Sequence, residues 1–349
     1  MMLRVDTLKQ DVCMIFKPCK HVIESLTLVN ALQLLGTNHL LNKHIDITLH
    51  HIHECEFNSY SLYEVALRFR LLREHGLWVS PDVFDKFKDE RGSFSKEITN
   101  EPKGLLGLYN AAFLLIHGEP ELEEAISFAR YHLESMRGNF KSPLAEQVKR
   151  ALDIPLPRTY RRLETMHYLT EYKQEEGHNP ILLELAKLKF TLLQYVHLNE
   201  LKSISRWDYD ADSLLPEYLK MFYNLLLTTF KEFEDQLGLD KRTQVAYVKK
   251  ELGKNKGDVP TTVECYMYDH KVSSEVALSC IESFMDDEWK TINQARFEDL
   301  ALMSAGFLKR VINYASSTSL FYGRNKEGFT FGTHLQETVD ILFVKSVQL

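Results

Sequence analysis

Apolar residues recur along the chain at the three- and four-residue intervals of an amphipathic helix. One such run comprises Leu62, Val65, Ala66, Phe69 and Leu72, and Gly76 follows it as a helix stop. The same spacing extends through residues 180–196, 215–233 and 273–284. Alternating apolar and polar positions joined by Asn-Gly or Asp-Gly turns, which are typical of β-hairpins, are almost absent. The pattern therefore predicts an all-α protein.

Two prolines, Pro155 and Pro157, interrupt the helical pattern near the middle of the chain and indicate a domain boundary. The chain has 349 residues, which corresponds to two domains at about 100–200 residues each. We therefore predict an N-terminal helical domain over residues 1–155 and a C-terminal helical domain over residues 156–349.

Composition and charge narrow the class of protein. Apolar residues make up 44% of the chain, and the formal net charge of −7 provides no basic surface for nucleic acid or an anionic membrane. The most apolar run, residues 104–116, is shorter than the ~20 residues that span a bilayer. Five scattered cysteines without a Cys-x-x-Cys pair indicate a reducing compartment. The N-terminus lacks the apolar core of a signal peptide, so we expect a soluble, cytoplasmic protein.

A histidine-rich segment at residues 50–55 is the first candidate metal site. In an extended conformation it would place His51, His53 and Cys55 on one face, as a zinc site requires. The spacing matches no common zinc site, however, and solvated polar residues at a helix end are the favoured interpretation.

Two acidic segments and one glycine-rich segment are further candidates. Residues 286–288, Asp-Asp-Glu, offer oxygen ligands for magnesium, but Lys290 stands where the next carboxylate is required. The alternating aspartates of residues 208–212 lack the glycine and distal glutamate of a calcium loop. Residues 253–257 lack the Gly-Lys-Ser/Thr ending of a phosphate-binding loop. We therefore favour a solvated acidic face for residues 286–288, a turn for residues 208–212 and a loop for residues 253–257.

Several ordered segments resemble those of plant class I terpene synthases. Residues 66–76, Ala-Leu-Arg-Phe-Arg-Leu-Leu-Arg-Glu-His-Gly, resemble the arginine-rich helix of that family's N-terminal domain. Similar segments follow in the family's order at residues 83–90, 103–109, 117–119, 179–188, 215–220, 257–259, 263–267 and 289–293. The resemblance implies an N-terminal α-barrel-like domain followed by a C-terminal helical bundle.

The resemblance also implies a reaction and a cofactor. Class I members bind a prenyl diphosphate, and magnesium neutralises the departing diphosphate to leave an allylic carbocation that cyclises in an aromatic pocket. Farnesyl or geranyl diphosphate is the substrate implied here. The pocket positions implied by the resemblance are His167, where a tryptophan is usual, and Tyr322, Glu327 and Phe329 near the loop over the pocket.

Both metal-binding motifs of the family are missing from the sequence. The family places an Asp-Asp-x-x-Asp motif between the counterparts of residues 205–207 and 215–220, which nearly join here. The counterpart of residues 247–252 precedes the second motif, whereas residues 257–260 follow almost at once in this chain. The resemblance therefore implies a shortened C-terminal bundle without magnesium ligands or assigned catalytic residues.

Three functions stay open at this point. The favoured one is a terpene synthase by descent that is inactive. The second is residual ionisation of a prenyl diphosphate by surviving acids such as Asp208, Asp212 or Glu327. The third is a binding role, in which helix faces uncovered by the deletion pair with a full-length relative.

Overall fold

The computed structural model describes residues 2–16, 21–175, 177–205, 217–237, 262–298, 305–322, 333–345 and 347. Helices form the regular structure of these segments, and the one pairing of extended backbone among them is an isolated antiparallel bridge between Lys88 and Phe94. The prediction of an all-α protein is confirmed.

Fourteen α-helices cross the described segments. They are α1 (Met2–Ile15), α2 (Val22–Leu34), α3 (Asn42–Glu54), α4 (Leu62–Glu74), α5 (Pro102–Ala112), α6 (Pro120–Ser135), α7 (Leu144–Asp153), α8 (Arg161–Tyr172), α9 (Pro180–Ser205), α10 (Glu217–Leu237), α11 (Thr262–His270), α12 (Ser274–Gln294), α13 (Ala305–Tyr322) and α14 (Thr333–Val339). Short 3₁₀ turns at Asn38–Leu40, Pro81–Phe87, Lys96–Asn100, Arg137–Asn139 and Leu156–Arg158 connect several of them, and a π-helical turn, Asp340–Val344, follows α14.

The helix signals in the sequence act as expected. Gly76 follows α4 with a φ of 76°, in the left-handed region that glycine adopts without a Cβ penalty. Asn179 caps α9, because its Oδ1 accepts a hydrogen bond from the Ile181 backbone N–H at 2.9 Å. Ser273 caps α12, because its Oγ accepts a hydrogen bond from the Val276 backbone N–H at 3.4 Å. The four helices predicted from apolar spacing are confirmed as α4, α9, α10 and α12.

Packing divides the chain into two compact units. The first comprises Met1–Leu188 with Leu278–Asn325 and Leu349, and the second comprises Lys189–Ala277 with Lys326–Gln348. The boundary predicted at residue 155 lies inside the first unit. In the described part of the chain, no helix combines the length and the apolar character needed to cross a membrane.

Close packing of α4 against α5 builds the core of the first unit. A Cβ at Gly104 would lie 3.1 Å from the Leu62 Cβ, and one at Gly107 would lie 3.3 Å from the Ala66 Cβ. Since real Cβ contacts are rarely this short, the two glycines let the helix backbones approach. The apolar stripe predicted on α4 is buried throughout.

Arg73 ties the end of α4 to the elements around it. Its side chain is fully buried, with 0% exposed, and its guanidinium donates two hydrogen bonds to the Glu119 carboxylate at 2.6 and 2.7 Å. It also donates to the carbonyl oxygens of Val79 and Leu114. Because a buried charge is tolerated only when it is paired, Glu119 and the carbonyls together make this position possible.

The C-terminal end of α12 packs against the same region. The Asn293 side chain is buried and its amide donates to the carbonyl oxygens of Phe113 and Leu115, both at 3.0 Å. Phe297 meets Trp78 edge to face, with 5.0 Å between the ring centroids. This part of the C-terminal half therefore belongs to the same packed core as α4 and α5.

Contacts of α9 and the exposure of α10 characterise the second unit. Gln194 of α9 donates to the carbonyl oxygens of Ile341 at 3.3 Å and Lys345 at 3.0 Å. On α10, Tyr223 and Leu227 are buried, whereas Met221, Phe222 and Leu225 are 83%, 62% and 65% exposed. Helix α10 is therefore apolar on its buried face and on part of its exposed face.

Candidate functional site

His167 is the one pocket candidate whose side chain the structure describes. It lies on α8 and is half-buried, and burial together with the neighbouring Arg150 lowers the pKa of its imidazole below the ordinary value. Tyr322 is the last residue of α13, but its side chain lies outside the described part. Glu327 and Phe329 lie outside the described residues altogether. Convergence of these four positions therefore stays a prediction.

An ion-pair network surrounds His167. Arg150 of α7 donates to Glu164 at 3.0 and 3.1 Å and to Glu171 at 2.7 and 3.1 Å, and both glutamates lie on α8. Gln147 adds a hydrogen bond to Glu171 at 2.9 Å. The neutral form of His167 fits this setting, because Arg150 already satisfies the nearby carboxylates.

A second network centres on Glu74 at the end of α4. Its buried carboxylate pairs with Arg70 at 3.2 Å and with Arg161 of α8 at 2.8 Å. Arg296 donates to the Glu74 backbone carbonyl at 3.0 Å. Burial alone would raise the pKa of Glu74, but the charges of Arg161, Arg70 and Arg296 outweigh it and lower that pKa to about 2.

The histidine-rich segment forms the last turns of α3 and its histidines are exposed, so the favoured interpretation as solvated residues at a helix end is confirmed. Cys55 Sγ lies 3.6 Å from His51 Nε2, one helical turn away. His53 points elsewhere and donates from Nε2 to the Trp78 carbonyl oxygen at 2.9 Å. The helix separates His53 from His51 and Cys55, because positions two residues apart lie on different faces.

The acidic run on α12 is occupied by cations from the protein itself. Asp286 pairs with Arg158, and Asp287 lies 3.3 Å from Lys290, whose ammonium also binds Glu123 of α6 at 2.8 Å. Both carboxylates are more than half exposed, so the interpretation of this run as a solvated acidic face is confirmed, and the ion pairs lie on that exposed face. Sequence reasoning missed the pairs, since Arg158 and Glu123 lie far away along the chain.

The described side chains provide no group of magnesium ligands. Within the described ranges, no three His, Cys, Asp or Glu side chains are grouped so that they could hold a metal ion. The aspartates of residues 208–212 and the glycine-rich residues 253–257 lie outside those ranges. The residues that the structure describes therefore do not fit a magnesium centre.

Comparison with known proteins identifies the class. The chain matches the terpene synthase N-terminal domain over residues 1–152 and the metal-binding domain of the terpene synthase family over residues 194–255. Isoprene synthase from grey poplar (Populus x canescens) superposes with a TM-score of 0.76 at 20% identity, covering 99% of this chain and 95% of that one. Limonene synthase with bound 2-fluorolinalyl diphosphate superposes equally well at 20% identity, with the same two coverages. These structures define the α-helical terpene synthase fold.

Sequence relatives identify the family. The chain is 35% identical to alpha-copaene synthase from Zea mays over 515 aligned positions, which cover 99% of this chain and 95% of the relative. It is 36% identical to a Zea mays protein named inactive beta selinene synthase over 332 positions, which cover 93% of this chain and 91% of the relative. The chain belongs to the terpene synthase family.

Proposed function

We propose that this chain is a terpene synthase by descent that does not ionise prenyl diphosphates. The observation that carries the proposal is the lack of an Asp-Asp-x-x-Asp sequence anywhere in its 349 residues. Diphosphate is a poor leaving group unless divalent cations neutralise its developing charge, and hard cations need several carboxylate oxygens. Farnesyl and geranyl diphosphates are the substrates on which the proposal is tested.

The length of the alignment supports an internal deletion. The match to alpha-copaene synthase covers nearly all of both chains and spans 515 positions. Since this chain has 349 residues, at least 166 positions (515 less 349) have no residue from it. Gaps of this size inside the alignment accord with the loss of the metal-binding segments at residues 207–208 and 252–257.

A second relative supports the same proposal. The Zea mays protein named inactive beta selinene synthase aligns over only 332 positions with 91% of its length covered. It is therefore close to this chain in length, and its name describes a family member without activity. This chain is proposed to share that condition.

Metal binding tests the proposal without relying on turnover. Electron paramagnetic resonance measures this binding with Mn²⁺ in place of Mg²⁺. We expect weak Mn²⁺ binding only. The double variant with Asp286→Asn and Asp287→Asn is expected to lose that weak binding. Stoichiometric Mn²⁺ binding tighter than about 10⁻⁴ M in that double variant would contradict the proposal. Loss of such binding on Asp208→Asn or Glu327→Gln would then assign the site to the surviving acids.

A binding role is the second candidate function, favoured by the exposed apolar side of α10. Met221, Phe222 and Leu225 lie within two turns of that helix and are more than half exposed. Exposed apolar patches of this kind mark interfaces or aggregation. The proposed partner is a full-length relative that supplies the helices lacking here.

Sedimentation velocity of the chain alone and mixed with such a relative tests this role. The expected result is a heterodimer that Phe222→Ser weakens and that Thr228→Ser, an exposed change on the same helix, leaves intact. Separate sedimentation of the two proteins would exclude the pairing.

We also propose a cytoplasmic location. The four described cysteines, Cys13, Cys55, Cys265 and Cys280, form no disulfide, which accords with a reducing compartment. Imaging of a C-terminal fluorescent fusion tests this, and an organellar signal would contradict it.

A further inference from the structure

A cavity of about 550 Å³ lies in the first compact unit. Helices α2, α4, α5, α7 and α8 form most of its wall, and the described residues that line it lie between Ile15 and Leu182. His167 is not among them. The volume falls within the ~300–1,000 Å³ typical of small-molecule sites.

Most of the cavity wall is apolar. Leu28 and Ala31 of α2, Leu67 of α4 and Ala151 of α7 are buried residues that line it. An apolar wall of this kind favours a ligand with a hydrocarbon body, because burial of apolar surface supplies the binding free energy.

The strong charges along the wall are already neutralised by the protein. Arg70 donates to the Asn30 side chain and pairs with Glu74, and Arg150 is held by two carboxylates of α8. Lys103 and Glu24 are exposed residues at the rim. A charged ligand would have to break a buried pair or remain unpaired, which is costly, or pair with an exposed charge, which contributes little because solvent screens it. The cavity therefore favours an uncharged ligand.

A carboxyl group in the wall is also held by a neighbour. The Tyr168 hydroxyl donates to the Glu175 carboxylate at 3.1 Å. Burial raises the pKa of Glu175 above its ordinary value, and the Tyr168 hydrogen bond and the Lys103 charge oppose that shift. A cationic ligand would therefore have to compete with the Tyr168 hydroxyl for this carboxylate.

Two tyrosines that line the cavity have hydroxyl protons that no described acceptor takes up. Tyr63 lines it and makes no hydrogen bond to any described residue, while the Tyr172 oxygen accepts from the Asn179 N–H at 3.0 Å and keeps its own proton. Burial raises the pKa of both tyrosines, so both hydroxyls are protonated at neutral pH. The wall therefore offers donors to an oxygen acceptor.

We propose that this cavity binds an uncharged, largely apolar small molecule with an oxygen acceptor, which the Tyr63 and Tyr172 hydroxyls recognise. The proposal is independent of the missing metal motifs, because the cavity lies within a different part of the chain. It assigns a ligand site to the unit that contains the N-terminal helices.

Three naphthalene probes of similar shape test the ligand class by isothermal titration calorimetry. They are 2-acetylnaphthalene, with a carbonyl acceptor, 2-ethylnaphthalene, without one, and the charged 2-naphthoate. The acetyl compound is expected to bind roughly tenfold more tightly than the ethyl compound, as one net hydrogen bond provides. The naphthoate is expected to bind most weakly. Equal binding of the acetyl and ethyl compounds, or tighter binding of the naphthoate, would overturn the proposal.

Variants locate the binding. Tyr63→Phe and Tyr172→Phe are each expected to reduce the preference for the acetyl compound, whereas Tyr131→Phe, at a 68% exposed position on α6, leaves it unchanged. Ala31→Phe and Ala151→Phe fill the cavity from two different helices and are expected to abolish binding of all three probes.

Exposed apolar residues of α10 provide a further control, because they offer probes an alternative surface. Leu225→Ser is expected to leave acetylnaphthalene affinity unchanged.

Unchanged affinity in folded Ala31→Phe or Ala151→Phe protein, checked by circular dichroism, would show binding elsewhere and overturn the proposal. If neither Ala31→Phe nor Ala151→Phe folds, the tyrosine variants test the proposal. An unchanged preference for the acetyl compound in both Tyr63→Phe and Tyr172→Phe would then overturn the proposal.

Discussion

The buried carboxylate of Glu74 connects three parts of the first unit. Protonation of this carboxylate at acid pH lowers the folding stability of that unit. The carboxylate pairs with Arg70 on its own helix and with Arg161 of α8, while Arg296 lies beyond α12. The pKa of about 2, against an ordinary value of 4.5, corresponds to about 3 kcal/mol of folding free energy at 1.36 kcal/mol per unit. Because the folded-state pKa is the lower one, this contribution is complete above pH 4.5 and is lost as pH falls towards 2.

Replacement of the carboxylate by an amide tests that magnitude. At pH 7, Glu74→Gln is expected to lose about 3 kcal/mol of unfolding free energy, because it leaves buried arginines without their partner. The difference from the unmodified protein should shrink as pH falls from about 4.5 to 2. Urea unfolding followed by tryptophan fluorescence measures it, since Trp78 and Trp289 lie in the same unit as Glu74.

Glu54→Gln provides a matched control, because Glu54 is exposed at the end of α3. It is expected to change the unfolding free energy by less than about 0.5 kcal/mol at every pH. A Glu74→Gln effect as small as the control, or one that stays constant between pH 7 and pH 2.5, would refute the assigned role of the carboxylate.

Three further predictions concern the same core and the histidine segment. Arg73→Leu is expected to cost about 3–5 kcal/mol in urea unfolding because Glu119 is left buried and unpaired, and Arg73→Lys should recover only part of this; full recovery would contradict the bidentate pairing. Asn293→Ala should cost about 2 kcal/mol by leaving two carbonyls unpaired, whereas the exposed Ser279→Ala costs almost nothing. Purified protein should carry no zinc by elemental analysis, and zinc that Cys55→Ser removes would contradict the α3 geometry.

Local sequence signals predicted the helices well. The apolar stripe of α4, its glycine stop and the Asn-Pro start of α9 each depend on neighbouring residues, so spacing alone predicted them. The helix end favoured for residues 50–55 depends on the same local spacing. Its histidines were considered in an extended conformation, but the apolar residues Ile45, Leu49 and Ile52 bury one side of a helix.

Contacts between distant residues could not be predicted from spacing. Arg73 belongs to the arginine-rich segment that carried the family resemblance, yet its pairing with Glu119 depends on how the connection between α5 and α6 packs against α4. The ion pair between Arg158 and Asp286 joins residues 128 positions apart. The cavity arises between five helices, and no motif in any of them indicates it. Such features depend on tertiary packing, which periodicity does not encode.

Diphosphate release is the measurement that tests the central claim most directly. The purified chain is incubated with farnesyl or geranyl diphosphate and Mg²⁺, and released diphosphate and volatile products are measured beside a full-length relative. The account predicts release no faster than the enzyme-free control, from a helical and monodisperse sample. Release well above that control, abolished by a chelator and by Asp208→Asn, Asp212→Asn or Glu327→Gln, would contradict it and assign the metal site to those acids.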